Sequence, residues 1–250
     1  MCCRYWTDES PGLREIVEEL NKSPLVSKWE RTTVITTFGE VRPTDVVPVI
    51  AFSRSGKRSV FPMKWGFKGK TLLMNARIET ASVKAMFKEA CVSHRCVIPG
   101  SYYFEWEHVV GNDGKQRVGD KYMIKPKGSE IAWLCGLYRI EEGMPVFVVL
   151  TREPGEDLRF LHDRMPLMLP DKYVDDWINP NSNPEEIAKV ALTEMVYKKA
   201  EEKGGGDEAV QMSMLNYNKS ERNPIPRSFP SYLSFKMGRR IETDKPFSTL

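Results

Sequence analysis

The chain has 250 residues, of which 41% are apolar and 28% charged, and its net charge is +3. This is the composition of a globular protein long enough to bury a sizeable core, and its mild positive charge permits nucleic acid as a partner without requiring it. Five cysteines without a CxxC pair argue against a disulfide scaffold. The sequence predicts a cytoplasmic protein, because no apolar run is long enough to cross a membrane and the N-terminus lacks the apolar stretch of a signal peptide.

The first part of the chain predicts one helix followed by strands. Ser10 as N-cap and Pro11 in the first turn predict a helix over residues 8–21. Its apolar stripe has helical spacing and comprises Leu13, Ile16, Val17 and Leu20. Three short β-branched and aromatic runs between residues 32 and 65 then predict strands, namely TTVITTF, VVPVIAF and SVFPMKW.

The remaining elements alternate irregularly. A helix is predicted from Thr80 or Ser82 to Ala90, with inward-facing apolar residues at Val83, Met86 and Phe87. Strand patterns follow, with a hairpin turn at 111–114, in the runs CVIPGSYYFEWEHV, KYMIK, IAWLCGLYRI, PVFVVLT and MPLML. Asn183-Pro184 predicts the start of a helix from Glu185 to about Lys203, and VQMSML predicts a last strand.

Strands scattered among a few helices, without a regular βαβ rhythm, indicate an α+β protein with a dominant sheet or barrel-like core. No stretch divides the chain convincingly. We therefore expect one domain over residues 1–235 and a loosely ordered polar tail over 236–250.

The start of the chain carries a pattern with chemical potential. If Met1 is removed, Cys2 presents an α-amine and a thiol on one residue, and this pair can condense with an aldehyde and close a five-membered ring. The alternative is an ordinary frayed chain end, which the dipeptide Cys2-Cys3 alone does not exclude.

Two further residues could move protons. Strand alternation places Glu105 on one face and the aromatic residues Phe104 and Trp106 on the other, so Glu105 is either solvent-facing or a partly desolvated carboxylate able to exchange protons. His162 is one of three histidines, with His94 and His108. It is either a helix-end histidine bonded to a carbonyl or a proton shuttle.

Polar residues for orienting and binding an anionic ligand lie in two short segments. Asn75 and Arg77 share a face if their segment is extended, and an amide beside a guanidinium suits a sugar and a phosphate. An exposed turn is the alternative for this pair. Arg164 can bind a phosphate or carboxylate in bidentate fashion.

Cofactor motifs are not found in the sequence. Cys91, His94 and Cys96 match no common zinc spacing and lack a second ligand pair. The chain has no GxGxxG, no P-loop and no GxSxG. The sequence therefore predicts neither a metal nor a nucleotide cofactor.

Four segments in this order resemble the SOS-response-associated peptidase family. They read MCCR, NARIET, CVIPGSYYFEW and HDRMP, and lesser similarities extend the likeness over roughly residues 1–177. Four ordered motifs are far more specific than any one of them.

The resemblance implies a β-rich pseudobarrel with peripheral helices, and a DNA-damage function as a peptidase and DNA-crosslinking, lyase-like enzyme. Members lose Met1, bind single-stranded DNA with an abasic site and form a thiazolidine between the N-terminal cysteine and the sugar aldehyde. By position, Cys2 would be the nucleophile. Asn75 would orient it and the sugar, and Glu105 and His162 would transfer protons. The phosphate-binding residues would be Arg4, Arg77 and Arg164. The family resemblance implies no metal or cofactor, and we expect a monomer.

The chain departs from the family pattern at two places, and two other functions are compatible with its sequence. Cys3 replaces the family's usual glycine, and the short loop after Trp65-Gly66 lacks the paired tryptophans that some members insert between bases. A cysteine N-terminal-nucleophile amidohydrolase acting on a small amide and a non-catalytic single-strand-binding module remain open.

Overall fold

The computed structural model describes residues 3–110 and 113–200, and this part of the chain forms thirteen strands and six α-helices. The strands are β1 Arg4–Thr7, β2 Gly39–Val41, β3 Val46–Phe52, β4 Arg58–Trp65, β5 Asn75–Arg77, β6 Arg95–Gly100, β7 Tyr102–Val110, β8 Gln116–Pro126, β9 Ala132–Glu141, β10 Met144–Arg152, β11 Met165–Pro166, β12 Met168–Leu169 and β13 Met195–Lys199. The α-helices are α1 Pro11–Leu20, α2 Val26–Glu30, α3 Ile78–Ala81, α4 Ala85–Ser93, α5 Val174–Ile178 and α6 Pro184–Ala188. Two single 3₁₀ turns span Glu156–Leu158 and Asp171–Tyr173.

Five strands close into a barrel. Their order is β10-β4-β3-β6-β9, and β9 pairs again with β10 to complete the ring. Four of these pairings are antiparallel, and β10 with β4 is parallel. Closure removes the free sheet edges, which satisfies the backbone of strands that are buried on both faces.

The apolar runs of the barrel strands are continuous because successive side chains enter two different cores. Along β10, the residues Val146, Val148 and Leu150 pack with α1, α4 and α5. Their neighbours Phe147 and Val149 pack with residues of β1, β7 and β8. One core thus joins the barrel to the helices, and the other joins it to the second sheet.

A glycine permits the barrel to close. Gly136 on β9 pairs with Cys96 of β6 and with Val149 of β10. A Cβ at this position would lie 2.6 Å from a methyl carbon of Ile98 and 2.8 Å from the carbonyl oxygen of Val148. Any larger residue would therefore push the three strands apart.

The second sheet has the order β13-β8-β7-β1-β2. The chain passes from the barrel into it at Ser101, between β6 and β7. The Ser101 N–H donates to the Trp6 carbonyl at 2.7 Å, and the Ser101 hydroxyl accepts from the Asp8 N–H at 2.8 Å. These bonds fix where β7 begins relative to β1.

Arg95, at the start of β6, joins the helices to the barrel. It is 1% exposed, and its guanidinium donates to carbonyl oxygens at the C-terminal ends of two helices and just beyond, namely those of Cys91, Val92, Trp177, Asn179 and Ser182. Carbonyls at helix ends lack intrahelical donors and carry the negative end of the dipole, so a buried cation satisfies both needs.

The first helix matches its prediction, whereas the second is wrong in part. α1 begins at Pro11 and buries Leu13, Ile16 and Leu20. The helix expected from about Thr80 is split into α3 and α4. Val83 and Met86, expected inward, are 72% and 47% exposed, because they lie at the break and at the start of α4, where only Phe87 turns to the core.

Two other predicted elements are wrong. The run TTVITTF forms a single bridge, between Ile35 and Val46, on the edge of β3 that β6 occupies further along, at Ile50 and Ala51. The helix expected from Glu185 to Lys203 ends at Ala188, and Met195–Lys199 forms β13. There, pairing with β8 satisfies a strand edge that would otherwise be open, and this outweighs the helical pattern.

The α+β class is confirmed, with a strand-rich barrel, mostly antiparallel pairing and peripheral helices. None of the helices in the described ranges is long and apolar enough to span a bilayer. The four cysteines described are free thiols. The expected last strand and tail lie outside the described residues, so the boundary at 235 stays a prediction.

Candidate functional site

Glu105 lies near the middle of β7 and is 4% exposed. The interpretation of this residue as a solvent-facing carboxylate is therefore wrong. β1 runs antiparallel to β7, with Arg4 opposite Phe104, so one further step along both strands brings Cys3 opposite Glu105. The fold thus directs the beginning of the chain towards a buried carboxylate.

Cys3 is the first residue that the structure describes, and Met1 and Cys2 lie outside the described ranges. Its side chain is half-buried. Burial, and next the negative charge of Glu105, raise the pKa of the Cys3 thiol above its ordinary value of 9.0. Cys3 is therefore a protonated thiol at neutral pH and a weak nucleophile.

His162 meets Glu105 from a different element. It lies in the loop between the 3₁₀ turn Glu156–Leu158 and β11, and its side chain is 16% exposed. Ligating atoms of Glu105, His162 and His108 all lie within 4.8 Å of one another. Residues more than fifty positions apart thus converge on one point.

The His162 imidazole is held through Nδ1. The Arg164 N–H donates to this nitrogen at 3.0 Å, and an Asp163 carboxylate oxygen lies 2.6 Å from it. A neutral ring accepts the N–H, and a ring protonated at Nδ1 donates to Asp163, so Nδ1 has a partner in either state. These contacts take the place of the bond to a helix-end carbonyl that one of the two interpretations of His162 assumed.

Burial lowers the pKa of His162 below its ordinary value of 6.5, and His108 acts in the same direction. Glu105 and Asp163 act to raise the pKa but do not reverse the shift. The imidazole is therefore neutral near pH 7, beside a carboxylate. This pairing can accept and return protons.

His108 is a site residue that the sequence analysis mentioned without assigning. Regular alternation would put Glu105 and His108 on opposite faces, but the pairing of β7 with β8 shifts by one residue between Trp106 and His108. The extra residue is on β8, where Gly119 and Asp120 lie opposite Glu107. Beside this bulge the rings of His108 and His162 meet edge to face, with centroids 4.9 Å apart. Gly119, in the bulge, was the available signal: its Cβ would lie 3.2 Å from Glu107.

Arg164 fastens the His162 loop. Its guanidinium donates to both carboxylate oxygens of Glu79, at 3.0 and 2.7 Å, and to the Thr151 carbonyl at 2.6 Å. Its side chain is 6% exposed. These contacts join α3, β10 and the loop. A phosphate at Arg164 would have to displace Glu79, so the described contacts favour a positioning role.

Asn75 and Arg77 begin and end β5, which pairs in parallel with β10 through Val149 to Thr151. Asn75 is half-buried and Arg77 is exposed. Ring contacts tie β5 to β1: Tyr5 packs on Trp65 at 5.6 Å, and the Trp65 indole N–H donates to the Met74 carbonyl at 2.9 Å. Asn75, the next residue, is thereby fixed relative to the start of β1.

Arg4 lies in a cationic patch on the second sheet, which we define as Arg4, Arg42 and Lys121 around Glu40. Arg4 and Arg42 each contact Glu40 Oε1, at 2.8 and 2.7 Å, and Lys121 lies 3.7 Å from Oε2. Burial acts to raise the pKa of Glu40, but the Arg42 hydrogen bond and the three positive charges lower it overall. The patch keeps an excess of positive charge.

Aromatic rings lie under this patch. The Arg4 guanidinium is 5.5 Å from the Trp106 ring, and the Lys121 ammonium is 3.7 Å from the Phe104 ring. Cations over aromatic faces offer contacts to both the phosphates and the bases of a nucleic acid, here on the face of β7 opposite the Glu105 side chain.

Comparison with known proteins identifies relatives. A model of the SOS response associated peptidase (SRAP) family matches residues 1–203. Abasic site processing protein YoqW of Bacillus subtilis is 36% identical over 130 residues, which is 50% of this chain and 54% of that protein. Abasic site processing protein YoaM of the same organism is 33% identical over 135 residues, 52% of this chain and 56% of that protein. YedK of Escherichia coli, with the same description, is 27% identical over 143 residues, 53% and 60% of the two chains.

These matches span little more than half the length of the curated relatives. Solved structures support the same fold. A protein from Bacteroides thetaiotaomicron superposes with a TM-score of 0.61 at 20% identity, over 80% of this chain and 93% of that one. A phage-related protein from Bordetella bronchiseptica gives a TM-score of 0.61 at 18% identity, over 82% and 96% of the two chains. With the family model covering most of its length, the chain belongs to the SOS response associated peptidase family.

Proposed function

We propose that this protein processes abasic sites by linking itself covalently to single-stranded DNA. The observation that carries the proposal is the convergence of His162 on Glu105, whose charge acts on the thiol of Cys3, the covalent neighbour of Cys2. The curated relatives are named as abasic site processing proteins. We infer the same substrate class for this chain.

The first step exposes the nucleophile. While Met1 is attached, the nitrogen of Cys2 is an amide and cannot attack an aldehyde. Hydrolysis of the Met1–Cys2 peptide bond consumes one water and releases methionine and a free α-amine. An α-amine has a pKa of about 7.7–8.0, so a useful fraction is neutral and nucleophilic at pH 7. We assign the proton transfers of this hydrolysis to Glu105, whose charge acts on the Cys3 thiol, and to His162 beside it.

The second step joins protein and DNA. The Cys2 amine attacks C1′ of the ring-opened sugar, and the aldehyde oxygen becomes a hydroxyl. Glu105, as a general acid, protonates that hydroxyl, which leaves as water and gives an iminium ion. The Cys2 sulfur then attacks C1′ and closes a thiazolidine, while His162 accepts the thiol proton. The step loses one water and needs no oxidant or cofactor.

The remaining residues place the strand. We assign Asn75, which is fixed through Met74 and Trp65, the role of orienting the sugar and Cys2. Exposed Arg77 and the cationic patch with Arg4 supply charge for phosphates. In this proposal Arg164 acts indirectly, by holding the loop that carries His162.

A denaturing gel tests the proposal with wild type, Cys2→Ala and the matched control Cys3→Ala on an abasic oligonucleotide. We expect a shifted band that withstands denaturation for wild type and Cys3→Ala and is lost in Cys2→Ala. Free migration of all three proteins would refute covalent processing. It would favour the binding module if affinity ignores the lesion, or the amidohydrolase if a small amide is turned over.

A further inference from the structure

Glu105, His108 and His162 form a cluster whose ligand types have a meaning beyond proton transfer. A carboxylate and two imidazoles, with ligating atoms all within 4.8 Å, are the donor set of many transition-metal sites. His108 is the member that the proposed reaction does not use. His108 lies beside the β-bulge and is exposed, so an ion can enter from its side.

The distances suit binding after a small adjustment. Ligand atoms about 2.0–2.2 Å from a Zn²⁺ ion lie roughly 3.4 Å apart in a tetrahedral site. The most distant pair in the cluster must therefore close by about 1.4 Å or less. Rotation of the exposed His108 side chain can supply this movement, while Glu105 and His162 stay held by packing.

Asp163 supplies the outer partner that such sites use. Its carboxylate oxygen lies 2.6 Å from His162 Nδ1. An ion at Nε2 requires the imidazole proton to be at Nδ1, where Asp163 accepts it and the present hydrogen bond from the Arg164 N–H to Nδ1 is given up. A carboxylate behind a histidine ligand fixes its tautomer and increases its basicity.

We propose that Glu105, His108 and His162 bind a divalent transition-metal ion of the Zn²⁺ class, with Asp163 as the outer-shell partner of His162. The three protein ligands leave one tetrahedral position open to water or to another donor. An ion here takes the Glu105 carboxylate and the His162 imidazole. Metal binding and the proton transfers proposed above are then mutually exclusive, a consequence that rests on the proposed function.

Binding is tested with Co²⁺, whose visible absorption reports its coordination. The background is the Cys2→Ser/Cys3→Ser protein, because N-terminal thiols bind the same metals. We compare this background with His108→Asn, Asp163→Asn and the control His94→Asn. His94 lies elsewhere, where its ring nitrogen bonds the Ser93 hydroxyl at 2.8 Å.

We expect saturable binding in the background protein and in His94→Asn, with Zn²⁺ displacing Co²⁺. Asp163→Asn should bind about 10- to 100-fold more weakly, and His108→Asn at least as much. Absence of saturable binding, or equal affinity of His108→Asn and His94→Asn, would overturn the site. No DNA enters this assay, so its outcome is independent of the proposed reaction.

A second arm tests the consequence. The Cys3→Ser protein should crosslink more slowly at saturating Co²⁺ than in EDTA, and adding His108→Asn should reduce that difference. Equal slowing with and without His108 would place the inhibiting ion on the N-terminal thiol and amine, and would contradict mutual exclusion at this cluster.

Discussion

Replacing Arg164 distinguishes the two roles that sequence and structure give this residue. The family resemblance implies that Arg164 binds a phosphate, whereas the structure shows three internal hydrogen bonds, to Glu79 and to the Thr151 carbonyl. Arg164→Gln removes the charge and shortens the side chain. If the residue positions the His162 loop, the protein should lose stability without losing a phosphate contact.

The magnitude follows from the burial of each partner. Breaking a fully buried ion pair costs about 3–5 kcal/mol, but Glu79 is 47% exposed, so water compensates part of that loss. The Thr151 carbonyl is fully buried and would lose a charged donor, which costs about 1–3 kcal/mol. We expect a net loss of about 2–4 kcal/mol, or a fall in Tm of about 5–15 °C.

The assay pairs unfolding with the salt dependence of non-covalent binding, measured on single-stranded DNA carrying an uncrosslinkable tetrahydrofuran site. The matched control is the exposed Arg77→Gln. Arg77→Gln should leave Tm nearly unchanged and reduce the salt slope by about 0.7, the value for one lost phosphate contact on a single strand. Arg164→Gln should lower Tm and leave the salt slope nearly unchanged. A reduced slope with an unchanged Tm in Arg164→Gln would refute the positioning role.

Three further outcomes can be measured. Arg95→Ala leaves several buried helix-end carbonyls without donors and should destabilise by about 3–5 kcal/mol in urea unfolding, against about 0–1 kcal/mol for the exposed Arg14→Ala. Burial acts to raise the pKa of Glu79, but the Arg164 hydrogen bond and charge hold it below its ordinary value of 4.5. Its contribution is thus present above about pH 4.5 and lost as the pH falls further, so Glu79→Gln should flatten the acid end of the stability curve, and an unchanged acid limb would contradict this linkage. Cys3→Gly should crosslink at the wild-type rate, because burial and Glu105 keep the Cys3 thiol protonated. A large rate increase would instead show that Cys3 obstructs the site.

Local sequence patterns correctly predicted the elements whose structure depends mainly on the burial of apolar side chains. The apolar stripe of α1 and the continuous apolar barrel strands describe a core, and both match the structure. Glu105 and His162 come together because of the order of the strands and the position of the His162 loop. The order of the family motifs suggests that these residues meet, but their spacing along the sequence does not.

Long-range pairing accounts for what the sequence missed. His108 lies at the site beside a register shift, and alternation along β7 cannot reveal a bulge on β8. The sequence of Met195–Lys199 predicts the continuation of a helix, because it does not show that β8 has an open edge with which this segment pairs. The sequence predicts that Arg164 binds a phosphate or a carboxylate, but it cannot identify Glu79, 85 residues away, as the partner.

The most direct test of the central claim is tandem mass spectrometry of the adduct formed with abasic single-stranded DNA. We predict a protein lacking Met1, joined to the DNA with loss of one water, and with the linkage confined to the N-terminal Cys2. An adduct that retains Met1, or one located on a lysine or on Cys3, would contradict it.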